Sequence, residues 1–167
     1  RNRNILFHSD AVQALGKIYI NVDETPVDFL SMSAHKLYGP KGIGALYRRG
    51  GSKLEPLIHG GGQESNLRAS TENIGGIAGF GMAAELSTSK LEENTNHILR
   101  LESYFLNLLN EQNISYTING TKRIPGVFNI TFHGVNGQDL VMQLDFSGIG
   151  ISFGSACTSG TVKASEM

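Results

Sequence analysis

Four short segments of the sequence carry side chains whose types and spacing suit chemistry. The first is SAHKLYGPKG at residues 33–42, which directly follows Phe29–Ser33, a segment with the composition of a strand. A lysine held where a strand ends in a glycine–proline turn can reach a carbonyl carbon and form a Schiff base. The alternative is that Lys36 and Lys41 are surface charges and that His35 is a capping side chain.

The second segment is HSDAVQ at residues 8–13, in which an acid ends a short strand and precedes a helical turn. Asp10 can cap that turn. It can also pair with the ring nitrogen of a bound cofactor and keep that nitrogen protonated, so that the ring draws electrons. Gln13 lies three residues further on. The sequence leaves both roles of Asp10 open.

The third segment is GSACTSG at residues 154–160, which contains the one cysteine of the chain. Most lone cysteines are buried and inert. This one is surrounded by glycines and hydroxyl residues, so we expect a poorly packed loop with an exposed thiol that can ionise and react. The sequence leaves open whether Cys157 is reactive or inert. One cysteine excludes an internal disulfide and a multi-cysteine metal site held by this chain alone.

The fourth segment combines the glycines at residues 60–62 with Arg68, Ser70 and Thr71, just before a helical pattern. A hydroxyl and backbone N–H groups at the start of a helix suit a phosphate. Ser70 or Thr71 can equally cap the helix, and the two roles are compatible. The histidines are scattered along the chain, so we predict no metal site.

Short apolar strands and turns alternate in the first third of the chain. The predicted elements are strands at Ile5–His8, Phe29–Ser33 and Gly42–Arg48, with a helical turn at Ala11–Leu15. This alternation favours an α/β sheet with parallel segments, whose ligands gather beyond the carboxyl ends of the strands.

From Glu72 onward, apolar residues recur every three or four positions, which predicts two helices or one kinked helix ending near Asn113. The final third reads as strand, strand, helix and strand at Ser115–Ile118, Val127–Phe132, Gln138–Asp145 and Ile149–Phe153. We therefore predict the end of a larger α/β domain at residues 1–87, followed by a smaller α+β domain at residues 88–167.

Composition narrows the class of protein further. The chain has 167 residues, of which 40% are hydrophobic and 17% charged, so it is neither a disordered tail nor a coiled coil. A net charge of −1 argues against nucleic acid or an acidic membrane as the main partner. The sequence starts almost within a strand and stops in the first turn of a helix, so we expect a fragment of a longer protein.

Together, these motifs resemble those of the cysteine desulfurases, which belong to the class V aminotransferases and use pyridoxal 5′-phosphate (PLP). The lysine and cysteine motifs lie more than a hundred residues apart and in the family's order, which argues against a chance match. The resemblance implies the end of a PLP-dependent transferase large domain, with a mixed and mainly parallel sheet, followed by an α+β small domain. It rests on D-x-x-Q at 10–13, S-x-H-K-x-x-G-P-x-G at 33–42, GGGQE at 60–64 with Arg68 and Thr71, and GSACTS at 154–159.

The resemblance also implies a set of cofactor contacts. Asp10 would pair with the pyridine nitrogen of PLP, and Gln13 would hydrogen-bond the phenolic oxygen of the ring. Ser33 and His35 would contact the phosphate. Thr71 would reach the phosphate bound in the other subunit, because the family forms homodimers with active sites at the interface.

The implied catalytic residues are Lys36, Cys157 and His35. Lys36 would hold PLP as a Schiff base and shuttle protons. Cys157 would take sulfur from L-cysteine, leaving alanine, and pass it as a persulfide to an iron–sulfur scaffold protein or a tRNA-thiolation enzyme. We expect no direct contact with nucleic acid or membrane, and the free thiol favours a reducing compartment, the cytoplasm.

Several cofactor- and substrate-binding groups of the family are absent from this sequence. They are the group that stacks on the PLP ring, part of the phosphate cup, an Asn near the phenolic oxygen and an arginine for the substrate carboxylate. We therefore expect the fragment alone to bind PLP weakly and to be inactive, with apolar surface exposed around Ile5 and Phe29. The alternatives are a selenocysteine lyase, a cysteine sulfinate desulfinase relative, or a non-catalytic module that binds a partner.

Overall fold

The computed structural model describes residues 5–154, which divide into two units. The first unit takes the described residues up to Glu102 together with Ile124–Gly126, and the second takes Ser103–Arg123 and the described residues from Val127 onward. The domain boundary that the sequence predicts after residue 87 stays a prediction. Cys157 lies outside the described residues.

A three-stranded sheet forms the frame of the first unit. Its strands are β1 (His8–Asp10), β2 (Phe29–Ser33) and β3 (Gly44–Arg48), in the order β1-β2-β3. β1 runs parallel to β2, with Asp10 beside Ser31, whereas β3 runs antiparallel, with Gly44 beside Ser33. The sheet is therefore mixed, and the carboxyl ends of β1 and β2 meet at one edge.

The strand prediction is confirmed for β2 and, apart from its first two residues, for β3. The prediction for β1 was wrong, because the strand covers His8–Asp10 and not Ile5–His8. Apolar composition pointed to Ile5–Phe7, but the register with β2 begins only at His8, which lies opposite Phe29. Backbone pairing with a neighbouring strand decides the position of so short a strand, and composition does not report it.

One face of the sheet packs on an apolar core. Ala11, Val27 and Leu30 are buried at its centre. Fully burying a Val or Leu side chain contributes about 1.5–3 kcal/mol to folding. Because side chains alternate along a strand, Leu30 and Met32 face this core while Ser31 and Ser33 lie on the opposite face. Partly buried residues complete the cluster: Ala14, Ile20, Val22, Met32 and Tyr47.

The predicted exposure of apolar surface is confirmed at one of two places. Ile5 is 71% exposed, and Leu6 and Phe7 are more than half exposed. The prediction was wrong for Phe29, which is buried at 9% exposure. Phe29 lies in the central strand and is paired on both sides, opposite His8 and Arg48.

Two consecutive helices follow the glycine-rich segment, which itself contains the short helical turn α1 (Gln63–Asn66). They are α2 (Ile74–Ser89) and α3 (Leu91–Glu111), so the two-helix alternative is correct. α2 is capped by Asn73, whose side chain accepts a hydrogen bond from Gly76 N at 3.0 Å. The predicted cap at Ser70 or Thr71 was wrong.

The second unit contains a hairpin and a helix. β4 (Tyr116–Ile118) pairs antiparallel with β5 (Ile130–Phe132), with Thr117 opposite Thr131. α4 (Gly137–Phe146) matches its prediction to within one residue at each end, and Asn136 caps it through Gln138 N at 2.9 Å.

The predicted strand at Ile149–Phe153 was wrong, since none of these residues is in a strand. Ile149 N instead donates to Leu144 O at 2.8 Å, just after Gly148 with φ 76°. The chain thus closes the end of α4 at this point, a common use of a left-handed glycine. No helix within residues 5–154 is long and apolar enough to cross a membrane.

Candidate active site

Lys36 lies on a 3₁₀ turn, Ala34–Leu37, that directly follows β2. Ala34 is fully buried and Leu37 is 6% exposed. Residues three apart share one side of a 3₁₀ turn, so burying this pair leaves Lys36 on the exposed side. The turn is closed by Gly39 N, which donates to Ala34 O at 3.0 Å. Anchoring Ala34 and Leu37 in the fold thus presents the amine at the edge of the sheet.

Ser33 and His35 form a hydrogen-bonded pair beside this lysine. Ser33 Oγ and His35 Nδ1 are 2.7 Å apart, and both residues lie within three positions of Lys36. Ser33 occupies the N-cap position of the turn but makes no side-chain capping bond. With the proton on Nε2, the imidazole accepts from Ser33 and directs its own N–H outward. Within the part of the chain that the structure describes, Nε2 has no partner.

Asp10 ends β1, the strand parallel to β2. Its Oδ1 accepts a hydrogen bond from Val12 N at 2.8 Å, so the predicted capping role is confirmed. Its Oδ2 has no hydrogen-bond partner among residues 5–154, which leaves the cofactor role compatible with the cap. Because β1 and β2 are parallel neighbours, Asp10 lies at the same edge of the sheet as the lysine turn.

Two further predicted site residues, Gln13 and Thr71, lie on loops. Gln13 is exposed, and its Oε1 accepts a hydrogen bond from Lys17 Nζ at 3.0 Å. Thr71 is exposed one residue after Ser70, whose N–H donates to Gln63 Oε1 at 3.3 Å. No hydrogen bond among the described residues joins Gln13 or Thr71 to the lysine turn. Their roles therefore stay predictions, as does that of Cys157 outside the described residues.

A further polar pair at this edge was missed from the sequence. His8 Nε2 and Ser31 Oγ are 2.8 Å apart and join β1 to β2. The signal that could have revealed the pair is the alternation of polar residues, His8 with Asp10 and Ser31 with Ser33, near the ends of two neighbouring strands.

The functional groups at this edge fit PLP. A primary amine suits its aldehyde, the Ser33–His35 pair suits its phosphate, and the second oxygen of Asp10 suits a protonated pyridine nitrogen. No group of three or more His, Cys, Asp and Glu within the described residues could hold a metal ion. The amine, the Ser33–His35 pair and the Asp10 carboxylate favour an organic cofactor with a carbonyl and an anionic group.

Comparisons with known sequences agree with this chemistry. The family model described as aminotransferase class-V matches residues 1–167. The cysteine desulfurase IscS of Dictyoglomus turgidum is 45% identical over 166 residues, which are 98% of this chain and 42% of the relative. The mitosomal cysteine desulfurase of Encephalitozoon cuniculi is 44% identical over 168 residues, which are 99% of this chain and 38% of the relative.

Solved structures show the same likeness. A NifS-like protein from Rickettsia africae has a TM-score of 0.81 at 36% identity, covering 90% of this chain and 42% of that one. A structure described as SspA in complex with cysteine has a TM-score of 0.68 at 37% identity, covering 95% of this chain and 43% of that one. These structures confirm the predicted fold class.

The chain spans about two fifths of the length of the curated relatives that it matches, 42% of the one from Dictyoglomus turgidum. The family model, in contrast, matches the chain from its first residue to its last. The resemblance drawn from the lysine and cysteine motifs is thereby confirmed, and the chain belongs to the aminotransferase class-V family.

Proposed function

We propose that the complete protein is a PLP-dependent cysteine desulfurase, which takes sulfur from L-cysteine and leaves L-alanine. The observation that carries this proposal is the exposed Lys36 beside the Ser33–His35 pair, with Asp10 at the end of the neighbouring parallel strand. Two further findings support it: curated relatives at 44–45% identity are named cysteine desulfurases, and a structural neighbour is described in complex with cysteine.

Lys36 has two tasks in this proposal. Its amine would hold PLP covalently through the aldehyde carbon. Bound PLP supplies an electron sink that stabilises the negative charge left on the substrate when its α-proton is removed. Once the substrate's amine has displaced it, Lys36 Nζ would be free to take that proton and later return it. The exposed position of Lys36 on a turn with two buried anchors suits both tasks.

Polar residues around Lys36 would hold the other groups of the cofactor. On cofactor binding, the Ser33 hydroxyl would turn from His35 Nδ1 to donate to the phosphate, and His35 Nε2 would also donate to it. Asp10 Oδ2 would accept from the protonated pyridine nitrogen. Gln13 would donate to the phenolic oxygen. Thr71 would bind the phosphate of the second subunit in a homodimer. A charge-assisted bond at the ring nitrogen is stronger than a neutral one, which suits Asp10 to keeping that nitrogen protonated.

Cys157 would carry the sulfur. Its thiolate attacks the sulfur of the substrate, so a new S–S bond forms while the C–S bond breaks. The bonding electrons of the C–S bond stay with the carbon fragment, which takes up a proton and leaves as alanine. The persulfide on Cys157 would then pass its outer sulfur to a thiolate of an acceptor protein, an iron–sulfur scaffold or a tRNA-thiolation enzyme. A thiolate nucleophile requires a reducing compartment, and we propose the cytoplasm.

The test of this proposal is cofactor attachment in the complete protein. On adding PLP, we expect an absorbance band near the border of the visible and ultraviolet regions, and borohydride reduction should fix the cofactor on Lys36. Lys36→Ala should lose both signals. Lys41→Ala is the matched control, since this lysine is exposed in the same glycine–proline segment, and it should keep both. A full band in Lys36→Ala would contradict the proposal.

A further inference from the structure

One polar contact at the site edge has no part in the mechanism proposed above. His8 Nε2 and Ser31 Oγ lie 2.8 Å apart, on neighbouring parallel strands. Neither residue is expected to touch the substrate or the phosphate. Surface hydrogen bonds contribute little to stability on average, so this pair invites a more specific explanation.

The register of the sheet places this pair next to Asp10. His8 and Asp10 are two residues apart on β1, so their side chains lie on the same face. Ser31 is the partner of Asp10 across the strands. The imidazole of His8 therefore reaches diagonally to the hydroxyl that flanks the carboxylate.

The backbone around Asp10 is fixed as well. Ala11 N donates to Ser31 O at 2.9 Å, and Val12 N donates to Asp10 Oδ1 at 2.8 Å. These bonds hold the main chain and one carboxylate oxygen in place. They do not fix the direction of the second oxygen, Oδ2. The register places Ser31, and with it the His8–Ser31 pair, beside Asp10 on the neighbouring strand.

We propose that His8 and Ser31 form a positioning pair that keeps Asp10 Oδ2 directed at the ring nitrogen of PLP. The pair acts through Asp10 and does not touch the cofactor. Its hydrogen bond ties the two side chains together beside the carboxylate, so that loss of either one leaves the Asp10 side chain free to turn Oδ2 away from the ring nitrogen. This inference rests on the proposed function, because it assigns the pair to the same cofactor.

The experiment compares two ligands in the complete protein. One is PLP, and the other is its analogue in which carbon replaces the ring nitrogen. The variants are Ser31→Ala and His8→Phe, which each remove one half of the pair, together with their double variant. The readout is the dissociation constant of each ligand, measured by absorbance.

We expect each single variant to weaken PLP binding by about tenfold, the effect of one lost or misdirected polar contact. The analogue should bind the variants and the wild type equally well, because it has no ring nitrogen for Asp10 to contact. The double variant should bind PLP at least as tightly as the single variant with the lower PLP affinity, as expected for two residues that act as one unit. His8→Gln, whose amide can still reach the Ser31 hydroxyl, should restore much of the PLP affinity and gives a second test if His8→Phe does not fold.

Thr117→Val is the matched control. Thr117 Oγ1 on β4 and His133 Nε2, one residue after β5, are 2.9 Å apart, so this variant breaks a similar exposed pair in the second unit. It should change the affinity for neither ligand.

Two results would overturn the inference about the His8–Ser31 pair. Both can be distinguished from results that would contradict the proposed function. Equal losses for PLP and for the analogue would show a merely structural contact, and unchanged PLP affinity in both single variants would show no role at all. If the wild type binds neither ligand, or binds both equally well, the cofactor role proposed for this edge fails, and the positioning pair fails with it.

Discussion

The two carboxylate oxygens of Asp10 have different roles, and one substitution can separate these roles. Oδ1 holds the turn through Val12 N, whereas Oδ2 is proposed to pair with the cofactor. Asp10→Asn keeps a carbonyl oxygen for Val12 N but removes the charge that would hold a ring nitrogen protonated. We expect its denaturation midpoint to stay close to that of the wild type, while kcat of the complete protein for cysteine falls by about 100-fold or more, as for other losses of a preorganised electrostatic contact.

The control for this prediction is Asp23→Asn, which removes a charge from an exposed loop of the same unit and should leave kcat unchanged. Asp10→Ala should lose both stability and activity, because it removes the cap and the charge together. Near-normal turnover in Asp10→Asn would rule out the proposed pairing.

At the start of α2, the residue that caps the helix is not the residue that we propose to bind the cofactor. Asn73 caps the helix through Gly76 N, and Thr71, two residues earlier, is exposed. We expect Asn73→Ala to lower the free energy of unfolding by about 1 kcal/mol, the usual cost of losing an N-cap. Thr71→Ala should leave stability unchanged and weaken PLP binding in the proposed dimer. Urea unfolding and PLP titration of both variants test this, and a destabilised Thr71→Ala would contradict it.

α2 also supports the lysine turn through a close approach at Gly79. A Cβ at this position would lie 2.6 Å from Pro40 Cγ, inside the segment that carries Lys36. Alanine normally favours a helix over glycine by about 1 kcal/mol, but overpacking costs about 1–3 kcal/mol. We therefore expect Gly79→Ala to destabilise the protein in urea unfolding and to weaken PLP binding.

Gly81 gives the matched comparison in the same helix. An added Cβ there meets nothing within 4 Å among the described residues, so Gly81→Ala should be neutral or stabilising. If both variants gain the same stability, the contact between α2 and the lysine turn does not constrain Gly79.

The elements also show what could be predicted from the sequence. β2 was predicted correctly because its apolar residues are bounded by turn residues. The site roles of Ser33, His35 and Lys36 were drawn from one local motif and stay predictions. β1 was misplaced and the His8–Ser31 contact was missed, because both depend on the register between strands that are distant in sequence. The false strand at Ile149–Phe153 had the right alternation, but Gly148 turns the chain back to close α4.

On the scale of the whole molecule, the described residues leave apolar surface uncovered. Ile5, Leu6 and Phe7 are 71%, 57% and 54% exposed just before β1, a strand at the edge of the sheet. Exposed apolar side chains that lie next to one another mark a surface where further protein can pack. The chain spans 42% of a relative that is 45% identical, so we expect further chain of the complete protein to cover this surface.

The most direct test of the account is whether Lys36 and Cys157 serve one reaction in the complete protein. After incubation with PLP and L-cysteine, mass spectrometry of the non-reduced protein should find the mass of one added sulfur atom on the peptide that contains Cys157. The signal should disappear in Lys36→Ala and persist in Lys41→Ala. A protein that releases alanine with no sulfur added to Cys157, or that gains the sulfur equally well in Lys36→Ala, would contradict the proposed desulfurase.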